Sequence, residues 1–154
     1  MPILAILLTL LMIRSVTLPG AGAGLEFLFK PDFSKITSKA ILEALGHAFY
    51  SLSLGMGIVL TYGSYVGKTE NLGKLTVQVA IADTLIALMA GIVIFPAVFA
   101  FNMQPNVGPG LIFITLPAVF EQMPMGNLIS ILFFLLIAIA SITSTISLME
   151  VSIA

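Results

Sequence analysis

The apolar run over residues 39–66 is long enough to cross a bilayer, yet its centre reads AFYSLSLGMG, a sequence that disfavours a helix. Its 28 residues would reach about 42 Å as a helix, more than the roughly 30 Å of hydrocarbon requires. Glycine costs about 1 kcal/mol relative to alanine within a helix, and serine offers competing hydrogen bonds. Lipid cannot satisfy freed backbone groups, so a break must face protein, water or ligand. The run therefore predicts a helix broken near residues 51–55 and a binding site at the break; the alternative is a close-packed helix crossing at small residues.

The remainder of the chain is equally apolar. It is 59% hydrophobic and only 8% charged, whereas soluble domains carry about 25% charged residues, so we expect an integral membrane protein. Cysteine is absent from the sequence, which excludes a disulfide framework and a thiolate nucleophile. The net charge of −1, without a basic cluster, argues against a nucleic-acid partner.

Four membrane spans and one shorter helix account for the apolar segments. The predicted spans are residues 2–17, 39–66, 75–101 and 127–154, and a loop helix over about 110–120, interrupted by Pro117, is too short to span and reads as re-entrant. The glycine-rich segment 18–24 predicts that the first helix ends there, and a polar surface loop is expected over 26–35. The start of the chain has no charged flank, and its end has neither a cap nor basic flanking residues, so we expect a piece of a longer protein.

Two polar features lie within the later spans. Asp83 shares a helical face with small residues, so it should face protein, where a lone acid marks an ion or substrate pathway more often than a purely structural contact. Near the end, Thr143, Ser144 and Ser147 lie on one helical face with Ala140. A hydrogen bond from each hydroxyl to the carbonyl four residues earlier would explain any one of them. It explains the whole cluster less well, and clustered hydroxyl and carbonyl oxygens favour binding of a hard cation such as sodium.

Three segments together resemble the neurotransmitter:sodium symporter family, specifically its bacterial amino-acid transporters. They are FYSLSLGMG at residues 49–57 with Thr61, Tyr62, Ser64 and Tyr65, then GLIFITLPAVF at 110–120, and ASITS at 140–144. By this resemblance the chain corresponds to the family's fifth to eighth membrane helices, one of them discontinuous, in an all-α inverted-repeat fold. The remaining helices would come from the full-length transporter, so the isolated chain should not transport.

The resemblance also implies roles for individual residues. Carbonyls of Tyr50 and Ser51, together with Ser53, would receive the ammonium group of a large apolar or aromatic amino acid, and Tyr50 would cover it. Met56, Ser144 and Leu148 would line the side-chain pocket. Two sodium sites would each be partly formed here; their ligands are Ser51 and Asp83 at the first and Ala140, Thr143 and Ser144 at the second.

Two departures from the family pattern concern charge. The family commonly has an amide at the position of Asp83, and its animal members use chloride to balance sodium, so the carboxylate predicts chloride-independent transport. His47 replaces a glutamine, and its protonation would add pH sensitivity, although a lone histidine is more often a packing partner.

Two other functions remain open at this point. A membrane enzyme would use His47, Asp83 and Glu150 as acid or base groups and would need the three to converge. A purely structural bundle would keep residues 53–57 helical. Under the transporter reading, the protein lies in the lipid bilayer of a bacterial inner membrane.

Overall fold

The computed structural model describes residues 2–30, 32–67, 69–105 and 108–154. Within these ranges the regular structure is entirely helical, which confirms the predicted all-α class. The helices are α1 (Pro2–Val16), α2 (Ala21–Phe29), α3 (Ser38–Ser51), α4 (Ile58–Tyr65), α5 (Leu72–Ala100), α6 (Leu116–Glu121) and α7 (Gly126–Ile153), with a 3-10 turn at Phe33–Lys35 and a π-helical turn at Leu111–Thr115.

Side-chain caps fix the start of two helices near the site. The hydroxyl of Thr37 accepts a hydrogen bond from the Ala40 N–H at 3.2 Å and begins α3. At the start of α5, the Asn71 side-chain oxygen accepts from the Lys74 N–H at 3.1 Å. Each cap satisfies one of the N–H groups that lack a partner within the first turn of a helix, so both starts are set by short polar residues.

Membrane-length helices are present among the described residues. By length and composition α5 and α7 can each cross a membrane, and α1 with α2 adds a third span if that bent pair is counted as one. The segment that the sequence analysis expected to be broken is interrupted, with α3 ending at Ser51 and α4 beginning at Ile58. An apolar, all-helical chain with one discontinuous helix is therefore the observed fold.

The region after α1 differs from the prediction of a glycine-rich break and a polar loop. Residues Ala21–Phe29 form a helix that is bent by 114° from α1, and the bend occurs at Gly20, whose φ is +90°. A side chain at Gly24 would place its Cβ 2.5 Å from the backbone of Phe95 and Pro96, so glycine allows α2 to meet α5 directly. Packing between helices thus outweighs the weak helix propensity of glycine.

Pro117 was expected to interrupt the short helix after the loop, and that expectation was wrong. The proline is the second residue of α6, and the helix continues through it to Glu121. The π-helical turn leads directly into this helix, so residues 111–121 form one helical segment.

The chain forms two compact units, and both long helices contribute to each of them. The first contains the described residues of 1–31 and 87–140. Its core is apolar and includes Val98 and Val119, both fully buried, together with Phe120 and Phe133, whose rings lie 5.3 Å apart. The second unit contains the described residues of 32–86 and 141–154 and holds the interrupted helix.

The contact between α2 and α5 leads to a first prediction. Gly24→Ala should lower the thermal stability of the protein in detergent, because the new methyl group overlaps the Phe95 and Pro96 backbone and overpacking costs about 1–3 kcal/mol. Gly22→Ala is the matched control, since its Cβ would have no atom within 4 Å. A thermal-unfolding scan checks both variants, and equal melting temperatures would contradict the close contact.

Candidate functional site

The C-terminus of α3 is closed by two backbone hydrogen bonds. The Ser53 N–H donates to the Tyr50 carbonyl at 3.0 Å, and the Leu54 N–H donates to the Phe49 carbonyl at 2.9 Å. This pair of bonds is a Schellman motif, whose turn residue takes a left-handed conformation and is usually glycine. Here that residue is Ser53, with φ of 55°. The helix therefore ends at a defined residue, and the left-handed residue at which the chain turns away from the helix axis is a serine.

These bonds also decide which carbonyl groups remain available at the break. The Tyr50 carbonyl, expected from the resemblance to be exposed, already accepts from Ser53. Among the described residues, no backbone N–H donates to the carbonyl oxygen of Ser51 or Leu52. The partial negative charge at the end of α3 is thus concentrated on oxygens that can accept from a cationic group.

The start of α4 presents the opposite polarity. Gly57 begins this helix with φ of 81° and without a side-chain cap, and its carbonyl accepts from the Thr61 N–H at 2.9 Å. The first N–H groups of a helix have no carbonyl partner within it and carry partial positive charge. The six residues between Ser51 and Ile58 therefore separate a carbonyl-rich helix end from an N–H-rich one, a polarity that suits a zwitterion.

A cavity of about 320 Å³ lies at the break. All six residues that the sequence analysis assigned to substrate binding line it, and two further residues, Ile58 and Ser147, complete the wall. The six are Tyr50, Ser51, Ser53, Met56, Ser144 and Leu148. The structure thus brings the assigned residues together around one space, and their binding of a substrate remains a prediction.

Asp83 of α5 lies beside the same end of α3. The Ser51 hydroxyl is 2.9 Å and 2.7 Å from the two carboxylate oxygens of Asp83, and it is the donor because an ionised carboxylate can only accept. The acid is half-buried and is the one acidic residue of α5. Hydroxyl and carboxylate oxygens are hard ligands, so the pair expected to serve the first sodium site is in direct contact.

The residues assigned to the second sodium site lie along α7. Thr143 and Ser144 follow Ala140 by three and four positions within this continuous helix. Two neighbouring hydroxyls have a local explanation, because Thr145 and Ser147 each donate to the carbonyl four residues earlier, at 2.9 Å and 3.2 Å. The cluster therefore includes hydroxyls that bond within the helix, and the cation site remains a prediction.

Two tyrosines of α4 contact α7, and these contacts were not predicted from the sequence. The Tyr62 hydroxyl is 2.9 Å from the Ser147 hydroxyl, and the Tyr65 hydroxyl donates to the Glu150 carboxylate at 2.6 Å. The sequence signal for these contacts is a shared spacing. The two tyrosines are three positions apart on α4, and Ser147 and Glu150 are three positions apart on α7. Because residues three apart lie on one helical face, matched spacing allows two parallel contacts.

The acid and base groups of the enzyme alternative do not form a common cluster. Asp83 is bonded to Ser51, whereas Glu150 is bonded to Tyr65. Among the described residues, no three His, Cys, Asp or Glu side chains are grouped as metal ligands would be. His47 lies on α3 one turn before Ser51 and is exposed, so its effect on pH dependence remains a prediction.

Comparison with known proteins gives consistent matches over nearly the whole chain. A family model described as "Sodium:neurotransmitter symporter family" matches residues 2–154. The "Uncharacterized sodium-dependent transporter YhdH" of Bacillus subtilis is 46% identical over 154 residues, which are 100% of this chain and 34% of the relative. An uncharacterized sodium-dependent transporter of Haemophilus influenzae is 46% identical over 153 residues, covering 99% of this chain and 34% of its own length.

A solved structure agrees with these relatives. The crystal structure of MhsT in complex with L-phenylalanine superimposes with a TM-score of 0.85 at 49% identity, covering 98% of this chain and 34% of that chain. The chain thus spans about a third of the length of the relatives it matches. Its relatives are transporters, so the enzyme alternative was wrong, and the interrupted helix excludes a continuous structural bundle.

The two left-handed glycines at the break lead to a second prediction. Gly57→Ala should destabilise the protein more than Gly55→Ala: both variants force alanine into a left-handed conformation, at about 1–2 kcal/mol, but only the Cβ at Gly57 approaches Val151, at 2.8 Å. Melting temperatures in detergent give the comparison. Adding Val151→Ala to Gly57→Ala should recover the stability of Gly55→Ala, and failure of this rescue would show that Val151 is not the cause.

Proposed function

Because this chain belongs to the sodium:neurotransmitter symporter family, we propose that it forms part of a transporter that imports amino acids together with sodium by alternating access. The protein is an integral membrane protein, and its bacterial relatives suggest the bacterial inner membrane. The observation that carries this proposal is the cavity at the break between α3 and α4, where opposite helix ends and six assigned side chains surround one space.

The substrate's charged groups match the polarity of the break. The carbonyls of Ser51 and Leu52, to which no described backbone N–H donates, accept hydrogen bonds from the ammonium group, and Ser53 also lines the cavity. The Tyr50 ring, on the last turn of α3, covers the bound amino acid. A carbonyl cluster of this kind favours a cation over a neutral amide, because each hydrogen bond to a charged donor is stronger than a neutral one.

The substrate's side chain occupies the apolar part of the cavity. Met56, Ile58 and Leu148 line this part, and the flexible thioether of Met56 adapts to side chains of different shape. Large apolar or aromatic amino acids are therefore the proposed cargo. The phenylalanine bound to MhsT, a protein 49% identical to this chain, supports this choice.

Sodium is proposed as the second cargo at two sites. Ser51 and Asp83 supply oxygen ligands to the first, and the Ala140 carbonyl with Thr143 and Ser144 supplies ligands to the second. Because Ser51 lines the cavity and also contacts Asp83, a cation at the first site lies next to the substrate. Binding of either cargo then improves the electrostatic environment of the other, which couples their movement.

Asp83 is the basis of a third prediction, chloride-independent transport. In the full-length transporter, Asp83→Asn should reduce sodium-driven phenylalanine uptake in chloride-free buffer by about tenfold or more, because a charge that balances the cation is lost. Chloride should restore part of the uptake if it replaces the missing charge. Proteoliposomes with an inward sodium gradient, in chloride or in gluconate, provide the measurement.

Two control variants isolate the charge of Asp83. Glu150→Gln removes one negative charge from the Tyr65 contact elsewhere in the same unit, and its uptake should remain independent of chloride. Ser51→Ala removes the hydroxyl that contacts Asp83 while keeping the carboxylate, so it should weaken uptake without creating a need for chloride. Full uptake by Asp83→Asn without chloride would refute the assignment.

A further inference from the structure

The hydroxyl of Ser147 lies on the cavity wall, and its hydrogen bonds can be assigned uniquely. It lies 3.2 Å from the Thr143 carbonyl oxygen, which can only accept, and 2.9 Å from the Tyr62 hydroxyl. A serine hydroxyl has one hydrogen and two acceptor lone pairs. The hydrogen must point to Thr143 for both contacts to be hydrogen bonds, so Tyr62 donates to Ser147.

This assignment leaves Ser147 without a hydrogen to give and with one lone pair still available. The neighbouring wall residues Met56, Ile58 and Leu148 offer carbon or a weakly accepting thioether. Ser147 is also only half-buried and lines the cavity. At this point the wall therefore presents a hydrogen-bond acceptor that has no hydrogen to give, in a cavity whose other lining hydroxyls belong to Tyr50, Ser51, Ser53 and Ser144.

We propose that Ser147 is a specificity-determining residue that accepts a hydrogen bond from the substrate's side chain. The site then favours aromatic amino acids whose ring carries a donor, a phenol O–H or an indole N–H, over rings of the same size without one. The inference rests on the proposed function and refines it, because it assigns a chemical preference to the cavity wall. The Thr143 carbonyl fixes the direction of the Ser147 hydrogen, because a carbonyl oxygen can only accept.

The test compares tyrosine with 4-fluorophenylalanine, whose ring is similar in size but has no donor. Each competes with radiolabelled phenylalanine for sodium-dependent binding to the full-length transporter. The wild type should bind tyrosine about 5- to 10-fold more tightly than 4-fluorophenylalanine, the ratio expected for one neutral hydrogen bond. Ser147→Ala should bring this ratio close to one, because the hydrogen bond to the ring donor is lost.

Two further variants test the assignment of the acceptor. Tyr62→Phe removes the donor to Ser147 but keeps the serine oxygen, so it should retain the wild-type ratio. Thr145→Ala is the matched control on α7, because its hydroxyl also bonds four residues back, to Ser141, but does not line the cavity. It should leave every affinity unchanged.

The outcomes separate this inference from the proposed function. An unchanged ratio in Ser147→Ala, or an equal loss of tyrosine and 4-fluorophenylalanine binding, would overturn the role of Ser147. A ratio lost equally in Tyr62→Phe would assign the acceptor to the tyrosine and overturn it as well. Absence of any sodium-dependent phenylalanine binding in the wild type would instead overturn the proposed function.

Discussion

The constraint on which this structure depends is the cost of leaving backbone hydrogen-bonding groups unpaired inside a membrane. Between α3 and α4 the helical ladder stops for six residues, Leu52–Gly57, within a segment otherwise suited to crossing lipid. Part of the cost is offset locally, because Ser53 and Leu54 donate back to α3. No described backbone N–H donates to the carbonyls of Ser51 and Leu52, so a polar ligand can donate to them or a cation can bind them.

The use of serine rather than glycine at the turn is informative for the same reason. A left-handed residue with a side chain is less stable than glycine by about 1 kcal/mol or more, so the choice has a local cost. Ser53 lines the cavity, where glycine would offer no hydroxyl. Gly55 and Gly57 take the remaining left-handed positions, and Gly57 is also required by the approach of Val151. Backbone geometry and ligand chemistry thus select different residues within one short turn.

The sequence was sufficient to predict the break, the face of Asp83 and six of the eight residues around the cavity, because each depends on local composition or on a recognisable motif. It did not predict α2 as a helix, since glycine propensity favours a loop and the packing of Gly24 and Phe27 against α5 reverses that preference. The pairing of Tyr62 with Ser147 was also missed. Such pairs depend on how two distant helices are rotated against each other, which one amphipathic pattern does not determine.

The hydrogen bonds tie the two halves of the interrupted helix to different partners. The end of α3 is bound to α5 through Ser51 and Asp83, whereas α4 is bound to α7 through Tyr62 and Tyr65. All of these residues belong to one compact unit. A shift of α7 against α5 would therefore be transmitted to the left-handed residues of the break, where the chain turns most easily.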